Sequence, residues 1–202
     1  MTQQRKDGVL VAVSGQSRWG KTASVLHETA KHQRVIVWDA RGEYPARGSF
    51  ERIGSIRALV ARLAPERGPA RIAYCGRMSE FDAWARCAYL WGQLWPCTVI
   101  ADELADVTSP GKAPDGWGQL VRKGLYFGIH IYAITHRPAE SDKTVFGNAT
   151  LLRCFGLRRA GDREYMAREL DVSPERIASL QKLEYIQRRA GDTKIYTGKV
   201  SF

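Results

Sequence analysis

Eight consecutive residues, Gly15-Gln16-Ser17-Arg18-Trp19-Gly20-Lys21-Thr22, follow the pattern G-x-x-x-x-G-K-[ST] in full. That pattern is suited to gripping phosphate. The two glycines let a loop curl until its backbone N–H groups point at one anion. A helix opening at the end of the loop adds its positive end. Lys21 is expected on the outer phosphates, and the Thr22 hydroxyl on a Mg2+ ion. Gly15, Gln16, Ser17, Arg18, Trp19, Gly20, Lys21, Thr22 and the following Ala23 are therefore the expected nucleotide contacts. The competing reading is a chance glycine-rich turn.

A second cluster supplies the chemistry. Thr98-Val99-Ile100-Ala101-Asp102-Glu103 is an apolar run ending in two adjacent carboxylates. Asp102 is expected to hold the Mg2+ shell and Glu103 to act as general base on an attacking water. A kinase has no use for a water-activating glutamate there, whereas an ATP hydrolase does. The pair places the chain among hydrolysing P-loop ATPases, in which one strand is inserted between the two motif strands. That strand should be 129–135. His136, at its end, would then lie beside the terminal phosphate and sense hydrolysis. A solvated loop histidine is the alternative.

These residues need a particular scaffold. Residues 9–14, 34–39, 71–75, 98–104, 129–135 and 151–157 read as strands, most of them runs of buried type. Residues 21–33, 53–64, 79–95, 117–127 and 162–170 read as helices between them. In 53–64 the spacing puts Ile53, Ile56, Leu59, Val60 and Leu63 on one face and turns Arg57 and Arg62 outward. A short helix starts at the capped Ser173-Pro174-Glu175-Arg176. Residues 183–189 and 194–200 read as a β-hairpin. Strands alternating with helices predict an α/β fold with a mostly parallel central sheet covered on both faces and a C-terminal hairpin. One P-loop ATPase domain over residues 1–202 is expected. Ligands of such sheets bind at the carboxyl ends of the strands, where the motifs fall.

Composition agrees with a globular protein. The 202 residues are 44% hydrophobic and 26% charged. No run approaches the roughly 18 apolar residues of a membrane span. The opening MTQQRKDG has no apolar leader, so no secretory signal is expected. Cys75, Cys87, Cys97 and Cys154 lack C-x-x-C spacing, which argues against zinc and for reduced core thiols. Against 21 acidic residues stand 31 basic ones, 22 of them Arg, for a net charge of +10. Such a balance favours a polyanionic partner, although a basic protein without one remains the alternative.

Two further segments carry a resemblance. Asp39-Ala40-Arg41-Gly42-Glu43-Tyr44 resembles the D-x-x-G-E-Y segment of the HerA/FtsK superfamily. Gly128-Ile129-His130 through Thr135-His136-Arg137-Pro138 resembles its GIH…TQRP strand and turn, with His136 where glutamine is usual. Over roughly residues 8–160 the chain is similar to the small genome-packaging ATPases of tailless, membrane-containing double-stranded DNA viruses.

The resemblance implies a RecA/FtsK-like ATPase using ATP and Mg2+. It implies a homo-oligomeric, hexameric ring that translocates double-stranded DNA without reading its sequence. A capsid or membrane vertex protein is the implied docking partner, and the host cytoplasm or the virion the implied location. Such rings complete each site with an arginine from the next subunit. The usual position is Leu125 here, so Arg122, one helical turn earlier, is the first candidate. Arg137, Arg153 and Arg158 are the others. For DNA phosphates, the candidates are the loop 108–118 with Lys112, the Arg57/Arg62 face, and Arg158, Arg159, Arg188 and Arg189. Other readings are a conjugation or chromosome-partitioning pump, a nucleotide phosphotransferase, and an assembly protein that uses ATP as a clamp. DNA-stimulated turnover separates the motors from the last two.

Overall fold

The computed structural model describes residues 7–64 and 68–201. Most of the opening segment read for a leader lies outside them. The chain runs β1 (Leu10–Ser14), α1 (Lys21–Glu28), β2 (Arg34–Trp38), α2 (Tyr44–Arg47), β3 (Glu51–Ile53), α3 (Ile56–Leu63), β4 (Ala70–Tyr74), α4 (Phe81–Leu94), β5 (Thr98–Ala101), α5 (Asp115–Lys123), β6 (His130–Thr135), α6 (Lys143–Asn148), β7 (Leu151–Phe155), α7 (Ala160–Leu170), α8 (Pro174–Ala178), β8 (Glu184–Arg189) and β9 (Tyr196–Lys199).

The nine strands form one sheet in the order β3-β4-β2-β5-β6-β1-β7-β8-β9. The first seven are parallel, and β8 and β9 join antiparallel as the C-terminal hairpin. β6 lies between β5 and β1, as the two carboxylates at the end of β5 predict. Its register pairs Ser14 with Thr135 and Ala101 with Ala133. The carboxyl ends of β1, β5 and β6 therefore converge.

The alternation of side chains divides the sheet into two faces. Leu10, Ala12, Ile36, Trp38, Val99 and Ile131 pack with α4 and α5 around Trp84 and Trp117. Val11, Val13, Val35, Val37 and Ile100 face Val25 of α1 and Tyr44. Trp38, Trp84 and Trp117 are fully buried. Burial of this apolar surface is the main drive to fold.

Where the elements differ from the sequence reading, local bonds give the reason. α1 ends at Glu28, because the Thr29 hydroxyl bonds back to the Val25 carbonyl and the chain turns at His32. β5 ends at Ala101, because Glu103 takes a left-handed conformation and a 3-10 turn follows. α5 starts two residues earlier than read, shortening the loop around Lys112. α2, β3 and α6 were not predicted: the first two have four and three residues, the last sits in a polar segment capped by Asp142 on the Thr144 amide, and Ile53, read as the start of a helix, ends β3. Val60 is 51% exposed, since Leu59 and Leu63 alone of α3 are buried. Ser173 caps α8 as read. All four cysteines are free, but only Cys97 and Cys154 are buried; Cys75 and Cys87 are half-buried. Among the described residues no helix is long and apolar enough to cross a membrane.

Candidate active site

The loop between β1 and α1 is pinned at both flanks. The Gly15 amide donates to Thr135 of β6, and the Gln16 amide donates to Gly156 beyond β7. Gly15 has φ +152, and a Cβ there would lie 2.6 Å from Phe155. Gly20 has φ +100 and would meet Leu183 at 3.0 Å. Both glycines are thus favoured by backbone angle, and Gly15 by space as well. α1 then opens at Lys21 with its positive end toward the loop.

Lys21 is buried, and its ammonium donates to the Gln16 carbonyl at 3.0 Å. Burial holds its pKa below the usual lysine value, opposed by the charges of Asp102 and Glu103 and helped by Arg41. Thr22 Oγ1 donates to Asp102 Oδ2 at 3.2 Å. The same oxygen accepts from the buried Tyr44 hydroxyl at 2.8 Å, and Oδ1 accepts from the Glu103 amide at 2.9 Å. Burial raises the Asp102 pKa, while the Tyr44 hydrogen bond opposes the rise. A hydroxyl beside a carboxylate oxygen is the hard-oxygen donor set that Mg2+ takes, so the residues fit that ion.

Glu103 has φ 54 and ψ 48, a left-handed conformation that costs a non-glycine residue roughly 1–2 kcal/mol. Its side chain is held between two partners. His136 Nδ1 lies 2.6 Å from Oε2, and Arg41 Nη2 lies 3.0 Å from Oε1. An ionised carboxylate only accepts, so Nδ1 is the donor.

Sequence reasoning assigned no roles to Arg41 and Tyr44. Their placement comes from Asp39 at the end of β2, which accepts from the amides of Glu43 and Tyr44 at 3.0 and 2.9 Å. This folds the 39–44 turn over the β5 end. The D-x-x-G-E-Y spacing is the signal that could have found it. Lys182 and Leu183, ahead of β8, were also missed. They line the cleft of about 890 Å³ that holds Lys21, Thr22, Arg41, Asp102 and Glu103. No motif marks them; only the return of the tail brings them there.

The arginines separate. Arg153 is buried, ion-paired to Glu28 and bonded to Gln187 at 3.0 Å. Arg137 is tied to Asp162 at 3.0 Å and to Glu140. Arg158 and Arg159 are exposed and line a second depression with Gln16, Ser17 and His136. Arg122 is exposed at the end of α5, just before the turn into β6. That is the amino-terminal pole of the sheet, opposite the cleft of its own subunit. Lys112 pairs with Asp115 at 3.2 Å, and Arg62 with Glu51 at 2.7 Å. Arg188 lies 3.9 Å from Asp171, and Arg57 and Arg189 are exposed.

A parallel sheet with β6 inserted between the motif strands, a glycine-rich loop opening a helix and a carboxylate pair at one cleft define the P-loop NTPase fold. No family model matches the chain. It is 31% identical over 176 residues to Protein P9 of Pseudoalteromonas phage PM2, covering 85% of this chain and 79% of that protein, and it belongs to the same family. In fold it is similar to the genome packaging NTPase B204 of Sulfolobus turreted icosahedral virus 2 in complex with AMPPCP. There the TM-score is 0.78 at 16% identity, over 95% of this chain and 97% of that one. VirB4 of Thermoanaerobacter pseudethanolicus gives a TM-score of 0.61 at 10% identity, over 95% of this chain and 89% of that one.

Proposed function

We propose that this chain is an ATP-hydrolysing motor, one P-loop ATPase domain that moves double-stranded DNA and packages a viral genome into a preformed capsid. The observation that carries the reading is the cleft itself. Lys21, Thr22 and Asp102 meet there, and Glu103 stands beside them at the end of β5. A fold shared with the genome packaging NTPase B204 supports the packaging role. The net charge of +10 suits a phosphate backbone gripped without base readout.

The P-loop amides and Lys21 hold the phosphates. Mg2+ held by Thr22 and Asp102 would neutralise charge developing on the phosphate oxygens. Glu103 takes a proton from the attacking water as its oxygen bonds to the terminal phosphorus and the bond to the bridging oxygen breaks, giving ADP and phosphate. His136 donates to Glu103 and reports loss of the terminal phosphate to the DNA-contacting loops. Arg122 of a neighbouring subunit compensates transition-state charge in a hexameric ring. Its place at the pole opposite its own cleft leaves it free to serve another. A capsid or membrane vertex protein is the docking partner, in the host cytoplasm or the virion.

The test is the steady-state ATPase rate with and without long double-stranded DNA, for the wild type and Glu103→Gln in parallel. The motor reading expects DNA stimulation that the variant loses, with ATP binding kept. Lys21→Ala should weaken both binding and turnover. Hydrolysis indifferent to DNA would favour the ATP clamp, and phosphate transfer to a nucleotide acceptor would favour a phosphotransferase.

A further inference from the structure

We propose that Arg41 is a ligand for the terminal phosphate of a nucleoside triphosphate and that, on binding it, Arg41 releases the Glu103 carboxylate it otherwise holds. The inference rests on the ATP-hydrolase reading and adds a residue and a coupling that the reading lacks.

Three observations carry it. Arg41 lines the same cleft as Lys21, Thr22, Asp102 and Glu103. Its side chain is 53% exposed, whereas the Glu103 side chain it contacts is 16% exposed. The arginine is therefore the partner with room to move. Glu103 is its ion-pair partner among the described residues. Arg41 is also close enough for its charge to act on Lys21, after the larger effects of burial and of the two carboxylates. Two cations directed at one cleft suit a group carrying several negative charges. The planar fork of a guanidinium matches two oxygens of a phosphate better than a single carboxylate oxygen 3.0 Å away.

The consequence falls on the base. Oε1 of Glu103 accepts from Arg41, and Oε2 accepts from His136. With both oxygens engaged by protein donors, the carboxylate has no oxygen given over to water. Transfer of Arg41 to the terminal phosphate frees Oε1 for water while His136 keeps the carboxylate oriented. The backbone of the 39–44 turn need not move, because Asp39 anchors it through the Glu43 and Tyr44 amides. Only the arginine side chain swings. A diphosphate lacks the group that draws Arg41 away, so with ADP bound the base stays engaged.

The experiment is calorimetric binding of ATPγS and of ADP, with Mg2+, to the wild type, Arg41→Ala and Arg41→Lys, alongside turnover of ATP. Arg41→Ala should weaken ATPγS about ten-fold, the loss of one charged hydrogen-bonding partner. ADP should change less than about two-fold and so report that the variant is folded. Arg41→Lys should recover part of the ATPγS loss, as a charge without the fork. If Arg41 acts only by positioning Glu103, turnover falls while the ATPγS-to-ADP affinity ratio stays at the wild-type value, and the proposal is overturned. A wild type that binds neither nucleotide would overturn the ATP-hydrolase reading itself, and this proposal with it.

Discussion

The hydroxyl of Tyr44 donates to Oδ2 of Asp102 at 2.8 Å, the same oxygen that accepts from Thr22 at 3.2 Å. The tyrosine is 1% exposed, and burial with the nearby Asp102 charge holds its pKa well above the ordinary value. It therefore stays a donor at all working pH values. The carboxylate proposed to face Mg2+ is thus oriented by a residue 58 positions away in sequence. Tyr44→Phe removes that donor and keeps the ring packed on Phe50. Stability should fall by about 1–3 kcal/mol. The Mg2+ concentration for half-maximal ATP turnover should rise. Thermal unfolding and a Mg2+ titration of turnover check both; an unchanged Mg2+ requirement would contradict the orienting role.

His136 stands 2.6 Å from Glu103 and donates through Nδ1. A glutamine amide can make the same donation, and an alanine cannot. His136→Gln should keep turnover within a few-fold of wild type, and His136→Ala should lower it about ten-fold or more. Steady-state rates at one pH suffice. Equal losses in both variants would show that the imidazole itself is needed.

Arg122 lies at the pole of the sheet opposite its own cleft. It can therefore complete a site only in another subunit. Arg122→Ala and Glu103→Gln should each be inactive alone, and mixed rings should regain part of the DNA-stimulated rate. Mixed rings contain interfaces that join an intact arginine to an intact glutamate. No recovery on mixing, with assembly verified, would pass the role to Arg158, the exposed candidate beside the cleft. Arg153 is an unsuitable substitute, because it is buried against Glu28.

His32 and His130 meet at the amino-terminal edge of the sheet, their rings 5.9 Å apart. Burial lowers both pKa values, helped by Arg71 at His32 and by His32 at His130, while Glu28 works the other way on His32. A histidine whose folded pKa is depressed adds stability above its unfolded value, and that stability is lost as pH falls through the folded one. The melting temperature should therefore decline as pH drops below about 6.5. His130→Gln should flatten that decline. A pH series of thermal melts decides it, and an unchanged slope in the variant would place the acid sensitivity elsewhere.

Most of the sheet was legible because its strands are apolar runs separated by turn residues. Of the aromatic residues in and beside α4, Trp84, Tyr89 and Trp91 are buried and Trp95 is half-buried. β3 escaped because three residues carry no period, and α6 because its helix rests on the Asp142 cap and burial of Val145 and Phe146 rather than on a long apolar face. Val60 was misplaced because helical spacing alone does not say how wide the buried stripe is.

The local sequence was sufficient for what depends on short-range geometry. Gly15 and Gly20 permit the loop, Lys21 and Thr22 follow at fixed spacing, and Asp102 and Glu103 end a buried strand. The meeting of β1, β5 and β6 followed from those motifs, since hydrogen-bonded parallel strands bring their carboxyl ends together. Three relationships belong to the tertiary structure alone. Asp39 folds the 39–44 turn so that Tyr44 reaches Asp102 and Arg41 reaches Glu103. The returning tail sets Leu183 against Gly20. Burial removes Arg153 from the surface while leaving Arg122 and Arg158 on it. Each depends on contacts between residues far apart in the chain, whose distances are set by packing and not by spacing along it.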